Sequence, residues 1–221
     1  MPPSPSEPPP PPPPPRPPHP ASPPLEPPPL LPLRLTAPIR TERLILRPFV
    51  PDDLDALFDI QSRPEVARYL YWSPRDHAGA AESLQQKLKN QSIEAEGDIL
   101  NLAAVRADGG PLIGDLMLRY ASATHQQAEV GYILHPDAQG HGFATEATRA
   151  LVDLAFRELR AHRVFGQIDA RNHPSGRVLE RVGLRREAHL VANEWVKGEW
   201  TDEVIYAVLA SEWADRLFGD H

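Results

Sequence analysis

The stretch Glu129-Val130-Gly131-Tyr132-Ile133-Leu134-His135-Pro136-Asp137-Ala138-Gln139-Gly140-His141-Gly142-Phe143-Ala144 decides how this chain is read. A short apolar strand, Val130 to Leu134, runs into a turn, and a strongly helical segment follows the glycines. A strand, a glycine-rich turn and a helix start together form a cradle for phosphate. The unpaired N–H groups of a first helical turn point outward, and the helix dipole favours negative charge there. Gly140 and Gly142 let the backbone come close to a ligand because no Cβ intervenes. Two better-known glycine loops do not fit. A P-loop needs Lys and then Ser or Thr after its last glycine, and neither is present. The dinucleotide fingerprint needs a small third residue where Thr145 stands, at the front of a βαβ unit. What remains is Gln139-x-x-Gly142-x-Ala144.

Working outward, Phe143 to Arg160 reads as a helix with Ala147, Leu151, Leu154, Ala155 and Leu159 on one apolar face. Val164 to Ala170 reads as a strand. Asn172 can cap a helix begun by Pro174 and Ser175, with Gly183 closing it. Thr201 to Leu209 reads as a closing strand. Upstream, Ile99–Val105 and Leu112–Tyr120 are strands joined by Ala107-Asp108-Gly109-Gly110, a hairpin signal, and Ala128–Leu134 is a third. Successive antiparallel strands ahead of the loop fit an α+β plan rather than a dinucleotide-binding repeat. Ile39, Leu44 and Leu46 with intervening Arg residues read as an opening strand, which Pro48 helps end. Pro51-Asp52-Asp53-Leu54 starts a helix, and Asp76 to Gln91 a second one.

The 221 residues carry 23 Lys+Arg and 30 Asp+Glu, giving 23 − 30 = −7. An acidic body argues against nucleic acid as a partner, because such binding relies on cations neutralising phosphates, and it suits a cationic substrate. Most of the 28 prolines crowd into residues 1–38. That run favours polyproline II and cannot bury a core, so it is expected to be a disordered tail, with residues 39–221 forming one domain. It is alternatively a ligand for a proline-binding module. With no cysteine there is no disulfide or thiolate site, and the nine histidines form no His-x-x-x-His pair, so no metal site is expected. Neither a membrane-spanning run nor a signal peptide is recognisable, and the expected location is cytoplasmic.

The Gln-x-x-Gly-x-Ala loop resembles the acetyl-CoA pyrophosphate loop of the GNAT superfamily of N-acetyltransferases. The opening Thr41-Glu42-Arg43-Leu44-Ile45-Leu46-Arg47-Pro48 with Asp52-Asp53-Leu54 resembles the branch containing ribosomal-protein N-terminal acetyltransferases. So do Asn172-x-x-Ser175 with Glu180-x-x-Gly183-Leu184, and the ending Asp202-x-x-x-Tyr206-x-x-Leu209. The resemblance implies a GNAT fold: a mixed, mostly antiparallel central sheet with a V-shaped splay between the strand ending at Leu134 and Val164–Ala170, flanked by helices. It implies acetyl-CoA as co-substrate, with pantetheine along Ile133, Leu134 and His135 and the diphosphate on Gln139, Gly140, His141, Gly142, Phe143, Ala144 and Thr145. Asn172 is expected to cap a helix, touch the cofactor, or both. Dimers are common in the family, so a homodimer is one expectation.

Amide formation from a thioester needs a neutral amine, a polarised carbonyl and a proton for the leaving thiolate. Amines with pKa about 8 to 10 are mostly protonated at neutral pH, so a general base helps. The resemblance points to Glu194 as base and Ser175 as donor to the thiolate, since the superfamily's usual tyrosine donor is here Leu179; a water can also serve as donor. Glu129 is the rival base. Each has a plainer reading: Glu194 as a loop acid, Ser175 as a helix-start residue, Glu129 as a strand-end charge. Backbone N–H groups near Ile133 to His135 are expected to polarise the carbonyl. The leading expectation is therefore acetyl transfer to a protein or peptide N-terminal α-amine. The alternatives are a small-amine acetyltransferase acting on polyamines, aminoglycosides or amino acids, a non-catalytic acyl-CoA sensor, or use of another acyl donor.

Overall fold

The computed structural model describes residues 31–218, with side chains described to Asp215. The expected tail boundary moves: β1 (Leu33–Arg34) pairs antiparallel with β4 (Ser92–Ile93), and Leu33 is buried against the core. Leucines rather than prolines punctuate this last part of the Pro-rich stretch, and they supply apolar area worth burying. Residues 1–30, where the rest of the expected tail falls, lie outside the described residues.

The opening strand is in fact a small hairpin, β2 (Ile39–Arg40) against β3 (Leu44–Pro48). Thr41 makes the turn: its N–H donates to the Leu44 carbonyl (2.9 Å) and its hydroxyl accepts from the Leu44 N–H (3.0 Å). A single 3-10 turn at Pro51–Asp53 leads into α1 (Leu54–Gln61). Asp53 stays buried because Arg47 grips both its oxygens (2.7 and 2.8 Å) and the Val50 N–H donates to it (2.8 Å). The short α2 (Pro64–Ala67) and then α3 (His77–Lys89) follow, the latter capped by the Asp76 side chain and so shorter than the expected Asp76 to Gln91.

An eight-stranded sheet runs in the order β2-β3-β5-β6-β7-β8-β10-β9, with β5 (Ile99–Arg106), β6 (Leu112–Ser122), β7 (Gln127–Leu134), β8 (Arg163–Asp169), β9 (Arg185–Val196) and β10 (Glu199–Leu209). Only β7–β8 is parallel. Strand alternation splits the core between the two faces. Leu100, Leu102, Leu116 and Leu118 join Leu151 and Ala155 of α4 (Phe143–Arg157) and Leu179 of α5 (His173–Val182). Ala103 and Leu112 face Leu57 and Ile60 of α1 and Leu84 of α3. The chain closes with α6 (Ala210–Phe218), whose Trp213 indole donates to Asp153 (2.8 Å).

The α+β class, the antiparallel run and the splay are as expected. The long β9 is an addition. It is an edge strand exposed on one flank, so Arg185, Arg186, Glu187, His189 and Asn193 break the alternation by which a strand is recognised. Its turn into β10 has Lys197 (φ 51°) and Gly198 (φ 87°) both left-handed, the geometry of a tight two-residue hairpin.

Candidate active site

Everything at the site follows from the point where two strands part. β7 and β8 pair only from Gln127–Glu129 to Arg163–Phe165; beyond Glu129 they diverge and leave a gap. The His135 N–H donates to the Ile113 carbonyl on β6 (2.9 Å), so it is not free to polarise a carbonyl, contrary to expectation. Alternation along the strand instead turns the backbone of Tyr132 and Leu134 toward the gap. The Leu134 carbonyl there accepts from the Gln139 side chain (3.3 Å), which gives the motif's glutamine a structural task. His135 itself caps the following turn through Nδ1 (3.1 Å from the Asp137 N–H) and pairs with Asp59 of α1 (3.0 Å).

On one side of the gap lies a groove of ≈ 490 Å³. Of the residues expected to hold cofactor, Ile133, Leu134, Gln139, Gly140, Gly142, Phe143, Ala144, Thr145 and Asn172 line it; His135 and His141 do not. Gly140 and Gly142 take φ 78° and 83°, conformations that cost other residues strain. In the first turn of α4 the Glu146 N–H is the first to find a helical acceptor, the Gly142 carbonyl (3.1 Å), which leaves the N–H groups of Phe143 to Thr145 facing outward. The loop is braced from behind. Glu146 accepts from the Thr41 hydroxyl (2.5 Å), the Arg43 N–H (2.7 Å) and Arg43 Nε (2.8 Å). Arg43 also donates to the His141 carbonyl (2.9 Å) and lies 4.8 Å from the Phe143 ring centre. Burial works against the Glu146 carboxylate, but the donors from Thr41 and Arg43 outweigh it and hold its pKa below the usual range. Arg177 and Arg181 of α5, which carry no motif signal in the sequence, also line the groove, and neither forms an ion pair among the described residues. Open helix-start donors plus free guanidinium groups suit a polyphosphate such as the diphosphate of coenzyme A.

On the other side is a cleft of ≈ 370 Å³ that holds Glu129, Glu194 and Glu203 together. Glu194 stands across from Thr201 in the β9–β10 ladder, and Thr201 and Glu203 share a strand face, so both carboxylates point the same way. Glu194 is therefore on a strand, not in a loop. A bulge at Val191–Asn193 lets Asn193 reach back to Glu203 (2.9 Å). Burial first, and then the neighbouring charges of Glu194 and Glu129, push the Glu203 carboxyl above its ordinary pKa. Glu129 is occupied by Arg119 (Nε to Oε2, 2.7 Å). Tyr71 is largely exposed yet lines the cleft with Glu194; partial burial of its hydroxyl and the neighbouring carboxylates of Glu194, Glu203 and Glu129 keep it protonated far above neutrality. Neither Glu194 nor Glu203 has a cationic partner among the described residues.

The groove and the cleft meet at Tyr132, Ile133, Asn172 and Ser175. The Asn172 side chain accepts from the Ser175 N–H (3.3 Å), as a helix cap does. Tyr132, another residue without a sequence signal, donates from its hydroxyl to the Ser175 carbonyl (2.9 Å); burial moves its pKa up to about 12. A thiolate with a parent pKa of about 8.5 cannot readily draw a proton from such a phenol, so Tyr132 is fitted to steady α5 rather than to serve as an acid.

Residues 43–185 match the family described as acetyltransferase (GNAT) domain. The N-acetyltransferase YnaD of Bacillus subtilis is 30% identical over 79% of this chain and 98% of its own. YdaF of the same organism, provisionally named a ribosomal N-acetyltransferase, is 26% identical over 78% of this chain and 94% of its own. The crystal structure of Vibrio cholerae spermidine N-acetyltransferase with CoA and spermine superposes with a TM-score of 0.66 at 22% identity, over 79% of this chain and 99% of that one, a likeness of fold.

Proposed function

The chain belongs to the GNAT acetyltransferases and uses acetyl-CoA, and we propose that it acetylates the free α-amine of a peptide or protein N-terminus by direct attack. The observation that carries this reading is the meeting of a groove walled by the glycine loop and the start of α4 with a carboxylate-rich cleft at Tyr132 and Ser175. Acetyl-CoA supplies the activated acetyl thioester. Gly140, Gly142 and the first turn of α4 hold its diphosphate, with Arg177 and Arg181 adding charge. The Leu134 N–H, turned into the gap, stabilises negative charge on the acetyl oxygen.

Glu194 accepts the proton of the attacking amine. It is the cleft carboxylate without a cation or a deep burial site to restrain it; Glu129 is spent on Arg119, and Glu203 is enclosed and held by Asn193. Tyr71, beside it in the cleft and protonated, is available as a donor to the Glu194 carboxylate. Ser175, at the junction, offers a hydrogen bond to the departing thiolate, and a water supplies its proton. The glutamates also lower the energy of a cationic acceptor in the cleft, which favours amines over neutral nucleophiles. That same surplus of negative charge favours a second reading, a polyamine acceptor.

Thiol release from acetyl-CoA tests the reading, with peptides bearing free Ser, Ala or Met termini set against polyamines and aminoglycosides. Peptide turnover that falls about 100-fold or more in Glu194→Gln, with CoA affinity unchanged, is the expected result. Turnover confined to polyamines establishes the second reading. CoA binding with no turnover on any amine refutes both.

A further inference from the structure

The acceptor cleft contains a fixed positive charge that nothing among the described residues neutralises. Arg75, in the segment between α2 and α3, lines the cleft with Gln61, Ser83 and Lys87 on its α1–α3 side, away from the glutamates of β9 and β10. Its backbone N–H donates to the Gln61 carbonyl (2.9 Å), and Nη1 donates to Gln61 Oε1 (3.3 Å) and, at 3.5 Å, to the Gly79 carbonyl. The guanidinium lies 4.9 Å from the Trp72 ring centre. Gln61 is only 2% exposed, and its amide in turn donates to the Ser83 hydroxyl (3.1 Å). The guanidinium is thus held from below and stacked from the side. All its bonds are made through Nη1, so the edge formed by Nε and Nη2 is uncommitted, and no carboxylate pairs with it among the described residues.

The neighbouring charges sharpen the contrast. Lys87 is neutralised by Asp115 (2.6 Å), both nearly buried. Asp76, the next residue along, accepts from the Gly79 N–H (2.8 Å). An oriented guanidinium edge matches the two oxygens of a carboxylate, and a half-buried cation without a counter-charge is costly to maintain. Across the cleft the net charge is the opposite, with Glu194 and Glu203 uncompensated.

We infer that the acceptor is bipolar: an amine held at Glu194 and a carboxylate elsewhere on the same molecule held at the Nε–Nη2 edge of Arg75. This rests on the amine-acetyltransfer reading and narrows it. A peptide with an acidic side chain or a free carboxylate satisfies both ends. A polyamine places a second cation against Arg75 and is disfavoured.

The test measures acceptor binding calorimetrically to the full chain in the presence of CoA, which does not depend on turnover. ω-Amino acids are compared with α,ω-diamines of matched length, and peptides with an acidic second residue with their neutral counterparts. The carboxylate-bearing member of each pair binds more tightly. Arg75→Gln weakens that member about 10- to 100-fold and leaves or improves the diamine, while Arg75→Lys recovers only part of the loss. An unchanged CoA affinity shows that both variants are folded. Diamines binding as well as amino acids, an equal loss for both classes in Arg75→Gln, or binding by neither class overturns the inference. Failure of the functional reading looks different: acceptors bind with the stated preference, yet no thiol is released.

Discussion

Replacing Glu146 by Gln changes one atom and tests how the cofactor loop is held. The carboxylate is 14% exposed and gathers the Thr41 hydroxyl and the Arg43 N–H on Oε1, with Arg43 Nε and Nη2 (2.8 and 2.7 Å) on Oε2. Bonds to an ionised acceptor contribute about 1.5–3 kcal/mol, about 1.5–2 at a site this close to the surface, and neutral ones about 1, so each of the two bonds at Oε1 weakens by about 0.5–1 kcal/mol. The Arg43 side chain is 44% exposed, so the ion pair itself adds only about 0.5–1 kcal/mol. The amide also sets N–H groups against guanidinium N–H groups. The sum is about 2 kcal/mol at pH 7, or a fall of about 4–8 °C in Tm for a domain of this size. The sign with pH follows from the lowered pKa of Glu146. Its contribution is fully present above the unfolded carboxylate value, about 4.3, and is lost as pH falls through the lower folded value. Urea unfolding of both proteins from pH 7 downward should therefore show a gap that closes only in acid. CoA affinity should fall as well, because Arg43 also fixes the His141 carbonyl. A Glu146→Gln protein as stable as the parent at pH 7, or a gap that is constant with pH, refutes the reasoning.

Other tests address packing and the junction. A Cβ on Gly114 would come 2.5 Å from Leu134 Cδ2 and 3.2 Å from the Ile133 carbonyl, so Gly114→Ala should cost about 1–3 kcal/mol in urea unfolding and disturb the gap edge of β7. Tyr132→Phe removes a bond to the Ser175 carbonyl but no acid, so kcat should fall less than about 10-fold, and a pH–rate profile should keep its alkaline limb. A larger loss together with a vanished limb would make Tyr132 the proton donor after all.

The sequence by itself determined the local pieces whose causes are local. Gly140 and Gly142, Asn172 as a cap, and the Ala107–Gly110 hairpin each act within a few residues, so their chemistry is written next to them. The order of those pieces also sufficed for the fold class. β9 was illegible because an edge strand is not obliged to alternate, and with it went the proof that Glu194 sits on a strand. Thr41 and Arg43 could be quoted as part of an opening motif, but their task emerges only when Glu146, 103 residues from Arg43, is packed beside them. The charge pattern of the cleft is the furthest from the sequence. Glu129, Glu194 and Glu203 come from three strands and Arg75 from a connecting segment, and their pairing is settled by which partners the fold brings within reach. Arg119 reaches Glu129 and Asp115 reaches Lys87, while Arg75 and Glu194 have no ion-pair partner among the described residues. Electrostatic compensation is a property of distance in space, which chain separation does not encode.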